Sequence, residues 1–487
     1  MGGVRCLPLL CQVLWLHQDA VELESMEVQK FYRSMRAAGG LIAALLVLGQ
    51  VVGNAAAPDD VLAARRGWRW LTTKAYLPPD FDQQVFDNLW QHWEEPARTA
   101  AEQATPEERR RLTFSRYGLT ENPDRPEGVA LQYVANGNGG WSMNCLACHT
   151  GKVAGKVVLG APNSLYALQT LTDDVRLTKL PLGKPFAHMD KGALLYPLGG
   201  SIGTTNAVMF GKILMTYRDP DLGVHVRGLP TGLLHHDHDA PAWWNVKKKK
   251  RLYADAFVPK NHRAIMQFLL IPSNGPDKFR AWEKEYRDIL AWIEAVEAPR
   301  FPWPVDGELA RAGEHVFRSH CAECHGTYGS ASSYPERVIP IDEIGTDRVR
   351  FDSLDADSRG AYAGSWFTRL DELETVLEPK GYVAPPLDGI WASAPYLHNG
   401  SVPTLWHLFH PAQRPVVWQR DEDGYDRERV GLTVRARDEL PADATDPRQK
   451  RRYFDTRLPG KSAQGHDFPD RLSPDEKRQV LEYLKTL

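Results

Sequence analysis

Asn144-Cys145-Leu146-Ala147-Cys148-His149 and His320-Cys321-Ala322-Glu323-Cys324-His325 carry one pattern, C-x-x-C-H. This is the attachment signature of a c-type haem. Two thiols add across the vinyl groups, and the adjacent imidazole reaches the iron as proximal ligand. The reading makes Cys145, Cys148, Cys321 and Cys324 attachment points and His149 and His325 iron ligands, for two covalently bound haems. The alternatives are a Cys/His zinc site and a redox dithiol. A zinc site drawing on both motifs brings four Cys and two His, more ligands than tetrahedral zinc takes. A dithiol has no use for the following His.

The other two of the six cysteines, Cys6 and Cys11, lie in an N-terminal segment that reads as a leader. Lys30, Arg33 and Arg36 form a basic stretch, residues 40–53 an apolar one, and Asn54-Ala55-Ala56-Ala57 a small-residue cleavage site. The apolar stretch is shorter than the roughly 20 residues a spanning helix needs; an uncleaved anchor is the alternative. Residues before Met26 or Met35 read as a mis-assigned start. Residues 1–57 are thus expected to be a signal peptide, 58–300 an N-terminal haem domain with the active-site segment, and 301–487 a C-terminal cytochrome c-like haem domain. Export suits c-type attachment and points to the periplasm or secretion. With 59 Lys+Arg against 62 Asp+Glu, the charge gives no reason to expect nucleic-acid binding. No later segment is apolar enough to span a membrane.

The expected fold is mainly α, two cytochrome c-like haem domains with extensive loops and few short strands. Phe86, Leu89, Trp90 and Trp93 share a helical face, and Thr105-Pro106-Glu107-Glu108 reads as a capped helix start. Residues 151–160 read as a turn and short strand, and 278–295 as an amphipathic helix. Pro299, Pro302 and Pro304 mark a boundary near residue 300. Gly313 and Phe317 fit a helix running into the second haem turn. Ser473-Pro474-Asp475-Glu476 is a capping box opening a closing helix with Val480, Leu481 and Leu484 on one side. The run Lys247 to Arg251 reads as a solvated face, or as cations for haem propionates or a redox partner. His235 to Asp239 reads as a solvated loop, or as a metal site.

The sixth iron ligands separate the functions. No Met follows Cys324, so a histidine is the expected in-domain partner for the second haem. His466, in the loop before the closing helix, ranks first and His410 second; a water-ligated iron is the alternative. The segment between the motifs offers several Met and His to the first haem and singles out none. Trp243 and Trp244 read either as an interhaem relay or as packing. Tyr253, Phe257 and Phe268 read as the lining of an apolar pocket.

With residues 384–391 (APPLDGIW) and 394–405 (APYLHNGSVPTL), the two motifs resemble the di-haem cytochrome c peroxidase superfamily. Gly203-Thr204-Thr205-Asn206, Pro241-Ala242-Trp243-Trp244 and Gly465-His466-Asp467-Phe468 are more similar to its rubber oxygenase branch. The resemblance covers most of residues 65–487 and is weakest over 410–460. It implies a catalytic haem on His149, with Trp243 or Trp244 between the haems and Phe257 on the distal side. It implies a relay haem held by His325 and His466, and a His398 that orders a turn near a propionate. The implied activity is dioxygen activation at the N-terminal haem for oxidation of an apolar, alkene-like substrate, with electrons relayed by the second haem. Reduction of hydrogen peroxide with electrons from a small redox protein or small-molecule donor is the alternative, and non-catalytic electron transfer the third. The peroxidase resemblance also allows a calcium ion between the domains.

Overall fold

The computed structural model describes residues 58–487, except 123–127, 226, 227, 229, 231 and 372 and the side chains of 422 and 423. The expected leader lies outside these residues. The chain divides into two units, Met1–Val61 and Leu62–Leu487. Of the first, only the opening turn of helix Pro58–Thr73 is described. Everything below belongs to the second.

Local sequence accounts for the principal helices. Pro106–Tyr117 starts at a reciprocal capping box between Thr105 and Glu108 and stops at Gly118, which is left-handed at φ 66°. A Cβ on Gly118 would lie 2.2 Å from the Leu165 carbonyl oxygen, so both conformation and space demand glycine there. Pro276–Ala295 buries Phe279, Trp282, Tyr286, Ile289 and Ile293, a three-four spacing that keeps one stripe inward. Gly307–His320 is capped by the Asp306 carboxylate and buries Ala310, Gly313 and Phe317. Pro474–Leu484 starts at the expected Ser473/Glu476 box and buries Val480, Leu481 and Leu484. These last two helices cross at Gly313, where a Cβ would stand 2.0 Å from the Gln479 carbonyl oxygen.

Strands are more numerous than the mainly-α expectation allowed, and the fold is mixed. Among the described residues they form six small antiparallel sheets of two or three strands and no closed barrel. The physical reason is local turn chemistry. Thr150–Val153 and Lys156–Leu159 pair directly, with left-handed Ala154 and Gly155 closing the hairpin. A longer hairpin, Val417–Asp426 with Gly431–Arg437, adds Phe454–Asp455 as a third strand. Phe81 to Trp93 is likewise not one helix. A two-residue strand precedes helix Gln83–Asn88 and a 3-10 turn over Leu89–His92, although Phe86, Leu89 and Trp93 are buried as expected.

Three hydrophobic clusters organise the interior. One joins Leu146, Trp243, Phe257 and the inward stripe of Pro276–Ala295. A second joins Trp244, Phe317, Trp391 and Leu481. A third joins Phe86, Trp141, Tyr133 and Tyr166. The two C-x-x-C-H segments emerge from these clusters: Cys145 packs on the first, Cys148 on the third and Cys321 on the second. Among the described residues, no helix is long and apolar enough to cross a membrane.

Candidate functional site

The first motif is a single 3-10 turn, Cys145–Ala147. Asn144 shapes it from both ends: its side-chain oxygen accepts from Leu146 N–H at 2.9 Å and its amide donates to the Leu131 carbonyl at 3.1 Å. His149 donates from Nδ1 to the Pro241 carbonyl at 3.1 Å. A carbonyl only accepts, so this bond fixes the proton on Nδ1 and leaves Nε2 as a free ligand atom. Trp243 stacks on the His149 ring, with centroids 4.5 Å apart and planes at 21°.

The second motif repeats the device on a different scaffold. Helix Gly307–His320 ends at Cys321, and the short helix Ala322–His325 carries the imidazole outward. His325 donates from Nδ1 to the Pro385 carbonyl at 2.9 Å. Its ring centroid lies 6.1 Å from that of His466. Two imidazoles on opposite sides of one metal, each about 2 Å from it, have centroids about 6 Å apart. Among the described residues, no histidine ring stands opposite His149 in this way.

The loop that presents His466 is held tightly. Gly465 and His466 are both left-handed, at φ 81° and 55°. A non-glycine residue there is held by its surroundings rather than by preference. His466 N–H donates to the Ile344 carbonyl at 2.7 Å. The guanidinium of Arg414 donates to the Ala463 and Gly465 carbonyls at 2.6 and 2.8 Å.

Electrostatics favour neutral ligands and protonated thiols. Burial pushes His149 down to about 4. Burial, then the neighbouring His325 and Arg414, push His466 down to about 3. Burial lowers His325 as well. It raises Cys145 to about 11 and Cys148 and Cys321 to about 12. A catalytic dithiol needs the opposite shift. Among the described residues no group of three or more His, Cys, Asp or Glu is placed to hold a metal ion. The donor set fits covalent haem, with two thiols, one oriented Nε2 at each motif and a second imidazole at His466.

The adjacent tryptophans face different clusters. Trp243 packs with His149, whereas fully buried Trp244 donates from Nε1 to the Asp388 carbonyl at 2.6 Å. Asp388 follows Pro385, the acceptor for His325, by three residues. Phe257 lines a cavity of about 390 Å³, together with Met215, Leu270, Tyr253, Tyr362 and the half-exposed Phe268. It shares a cluster with Trp243 and Leu146. The basic run is split rather than uniformly solvated. Lys247 and Lys250 are exposed, whereas Lys248 pairs with Asp388 at 2.7 Å and lies over the Tyr328 ring.

One further expectation is corrected, and two histidines take defined places. His235 to Asp239 is not a solvated loop: His236 and Asp237 are fully buried, because Asp237 pairs with buried Lys461 at 2.8 Å and His238–Asp239 pairs with Thr204–Thr205. His410 stacks on Trp406 and donates to the Trp406 carbonyl. His398 packs on Tyr382 and near His238, and its carbonyl accepts from Asp239 N–H.

Residues 381–419 match the RoxA-like, cytochrome c-like family model. The matched segment includes Pro385, Asp388 and His398. It supports a c-type cytochrome of the rubber-oxygenase-like kind and implies covalently bound haem. Two uncharacterized proteins of Sinorhizobium fredii are also similar. One, y4iJ, is 31% identical, over 39% of this chain and 41% of its own length. The other, y4iM, is 30% identical, over 41% of this chain and 53% of its own length. The chain thus matches only about half the length of these relatives.

Pro241 and Pro385 lie in the segments that carry the resemblance, but nothing in the sequence gives them a role, and nothing marks Arg414.

Proposed function

We propose that this chain is an exported di-haem c-type cytochrome oxidoreductase that oxidises an apolar, alkene-like substrate with dioxygen. Cys145, Cys148 and His149 hold the catalytic haem; Cys321, Cys324, His325 and His466 hold the relay haem. When bound, the first supplies an iron able to act on oxygen species and the second an iron that passes electrons. One observation carries the assignment of roles. The His325 and His466 ring centroids are 6.1 Å apart, a separation at which both imidazoles would hold one iron, whereas the ring packed against His149 is Trp243.

The chain's own residues then divide the work. Pro241 and Pro385 set the imidazole tautomers, and Arg414 holds the His466 loop. Phe257, Met215 and Leu270 offer an apolar wall in a cavity sized for a small organic molecule. Among the described cationic residues that line it, Lys212 pairs with Asp355, Arg350 pairs with Asp255, and Arg218 donates to four backbone carbonyls. Trp243 and Trp244 span from His149 to the segment that orients His325.

Electron paramagnetic resonance of the holoprotein and of His466→Ala tests the reading. A high-spin or oxygen-sensitive signal beside a low-spin signal lost in His466→Ala supports it. Two low-spin signals, inert to oxygen and peroxide after reduction, overturn it in favour of electron transfer. Turnover with hydrogen peroxide and a reduced donor, without turnover of an alkene and oxygen, replaces the oxygenase with a peroxidase.

A further inference from the structure

Behind the first motif lies a buried polar cluster that the reading above does not use. Asp80 is 5% exposed and fixed by its Oδ2, which accepts from Met143 N–H at 3.3 Å. Its Oδ1 has no hydrogen-bond partner. Asp190, 1% exposed, pairs with buried Lys179 and accepts from Ala187 N–H through Oδ2, and its Oδ1 is likewise without a partner. Both carboxylates and Tyr133 line a cavity of about 10 Å³. About 10–15 Å³ holds one water, which needs two to four polar partners. Two unpartnered carboxylate oxygens and one hydroxyl provide them.

Polar groups flank the cluster on two sides. His188 Nε2 stands 3.6 Å from Asp80 Oδ1, and its side chain is 18% exposed. On the other side Tyr133 and Tyr166 hydroxyls are 3.1 Å apart, and Tyr166 donates to Met143 Sδ at 3.2 Å. Because Tyr166 gives its proton to sulfur, Tyr133 donates to Tyr166 and keeps a lone pair facing the cavity. Met143 and Cys148 pack on the same cluster as both tyrosines. From the water site the Tyr133 and Tyr166 hydroxyls therefore lead to the Met143 side chain, two residues before Cys145.

We propose that Asp80, with the water site it shares with Asp190 and Tyr133, is a redox-linked proton site for the haem held by Cys145, Cys148 and His149. The inference rests on the di-haem reading above. For each electron arriving from a one-electron donor, Asp80 takes one proton from solvent by way of His188. An O–H bond forms on the carboxylate, the solvent gives up the proton, and no other bond changes. Charge added in a low-dielectric interior is costly unless compensated nearby. Asp80 provides the compensation where bulk water does not reach.

The surrounding charges are consistent with a group that titrates near neutrality. Burial raises Asp80 to about 7, and the Asp190 charge adds to this, against the Met143 N–H and Lys179. His188, lowered to about 4 by burial and by Lys179, is neutral there. Tyr133 and Tyr166 are raised by burial and remain protonated. Asp82 and Lys184 pair with each other beside the cluster.

Spectroelectrochemical titration of the holoprotein over about pH 5 to 9 tests the proposal. The potential of the His149 haem is expected to fall as pH rises through neutrality, and Asp80→Asn is expected to abolish that slope. Tyr133→Phe and His188→Gln leave the Asp80 anchor on Met143 intact and are expected to shift the midpoint of the slope or slow its response. A pH-independent potential in the unmodified protein overturns the proposal. So does an unchanged slope in Asp80→Asn, or, should that variant not fold, an unchanged profile in both others. Failure of the di-haem reading looks different: haem staining would show no covalent haem at the first motif, at any pH.

Discussion

Replacing Asp255 by asparagine should destabilise the holoprotein by about 3–5 kcal/mol, the cost of breaking a buried ion pair from one side. Asp255, Arg350 and Arg359 are each 1% exposed or less. The carboxylate accepts from Arg350 at 2.9 and 3.2 Å and from Arg359 as well. Arg350 lines the 390 Å³ cavity, and Arg359 lies 4.9 Å above the Phe257 ring. One anion thus holds two cations, Arg350 in the cavity wall and Arg359 over the ring of Phe257. Asn keeps the shape but turns a donor amide toward a guanidinium and leaves two like charges facing each other. The three charge-assisted bonds, at about 1.5–3 kcal/mol each, are not additive, so the range for a broken pair is the better guide. The assay is urea unfolding at neutral pH, with the slope checked for constancy. Adding Arg359→Met to Asp255→Asn should restore part of the loss by removing one stranded cation. The two arginines hold Asp255 below the usual aspartate range despite its burial. Its contribution is therefore present above the unfolded value, about 3.9, and lost as pH falls through the lower folded one. The gap between the unmodified and Asp255→Asn proteins should accordingly close only in acid. A loss under about 1 kcal/mol, or no recovery in the double variant, would refute the reasoning.

Gly313→Ala should cost at least about 1–3 kcal/mol, because the added Cβ meets rigid backbone at the helix crossing; a thermal midpoint unchanged from the parent counts against that close approach. Trp244→Phe should cost about 1–3 kcal/mol by stranding the Asp388 carbonyl, and should slow electron exchange between the haems; flash-photolysis rates equal to the parent's would remove Trp244 from the path. Arg414→Met should loosen the His466 loop and weaken the low-spin signal while leaving both haems covalently attached. Haem staining and paramagnetic resonance on one sample separate the two effects.

Legibility from sequence followed the range of the interaction. The C-x-x-C-H turns, the Thr105 and Ser473 boxes and the stripe of Pro276–Ala295 are local, and each appears where the pattern puts it. His466 was legible by elimination and by its place before the closing helix, and it does face His325. The proline carbonyls were not legible, since any residue supplies a carbonyl and only tertiary packing brings these two to the imidazoles. The burial of His235 to Asp239 depends on Lys461, more than 200 residues away, which no local window contains. The hairpin Val417–Asp426 with Gly431–Arg437 fell in the stretch of weakest resemblance, where charged and polar residues obscure any alternation. Asp80 offered no signal at all: one aspartate among many becomes exceptional only when its solvent is removed.

The stretch Pro241 to Trp244 concentrates more than its length suggests. Within four residues it sets the tautomer of one iron ligand, covers that ligand's face and reaches the strand of chain that orients the other. On the di-haem reading proposed above, tuning of one centre and wiring to the next would therefore not be separable traits. A single insertion in this turn would change ligand basicity and coupling together, whereas exchange of the whole stretch between related chains would move both as one inheritable cassette.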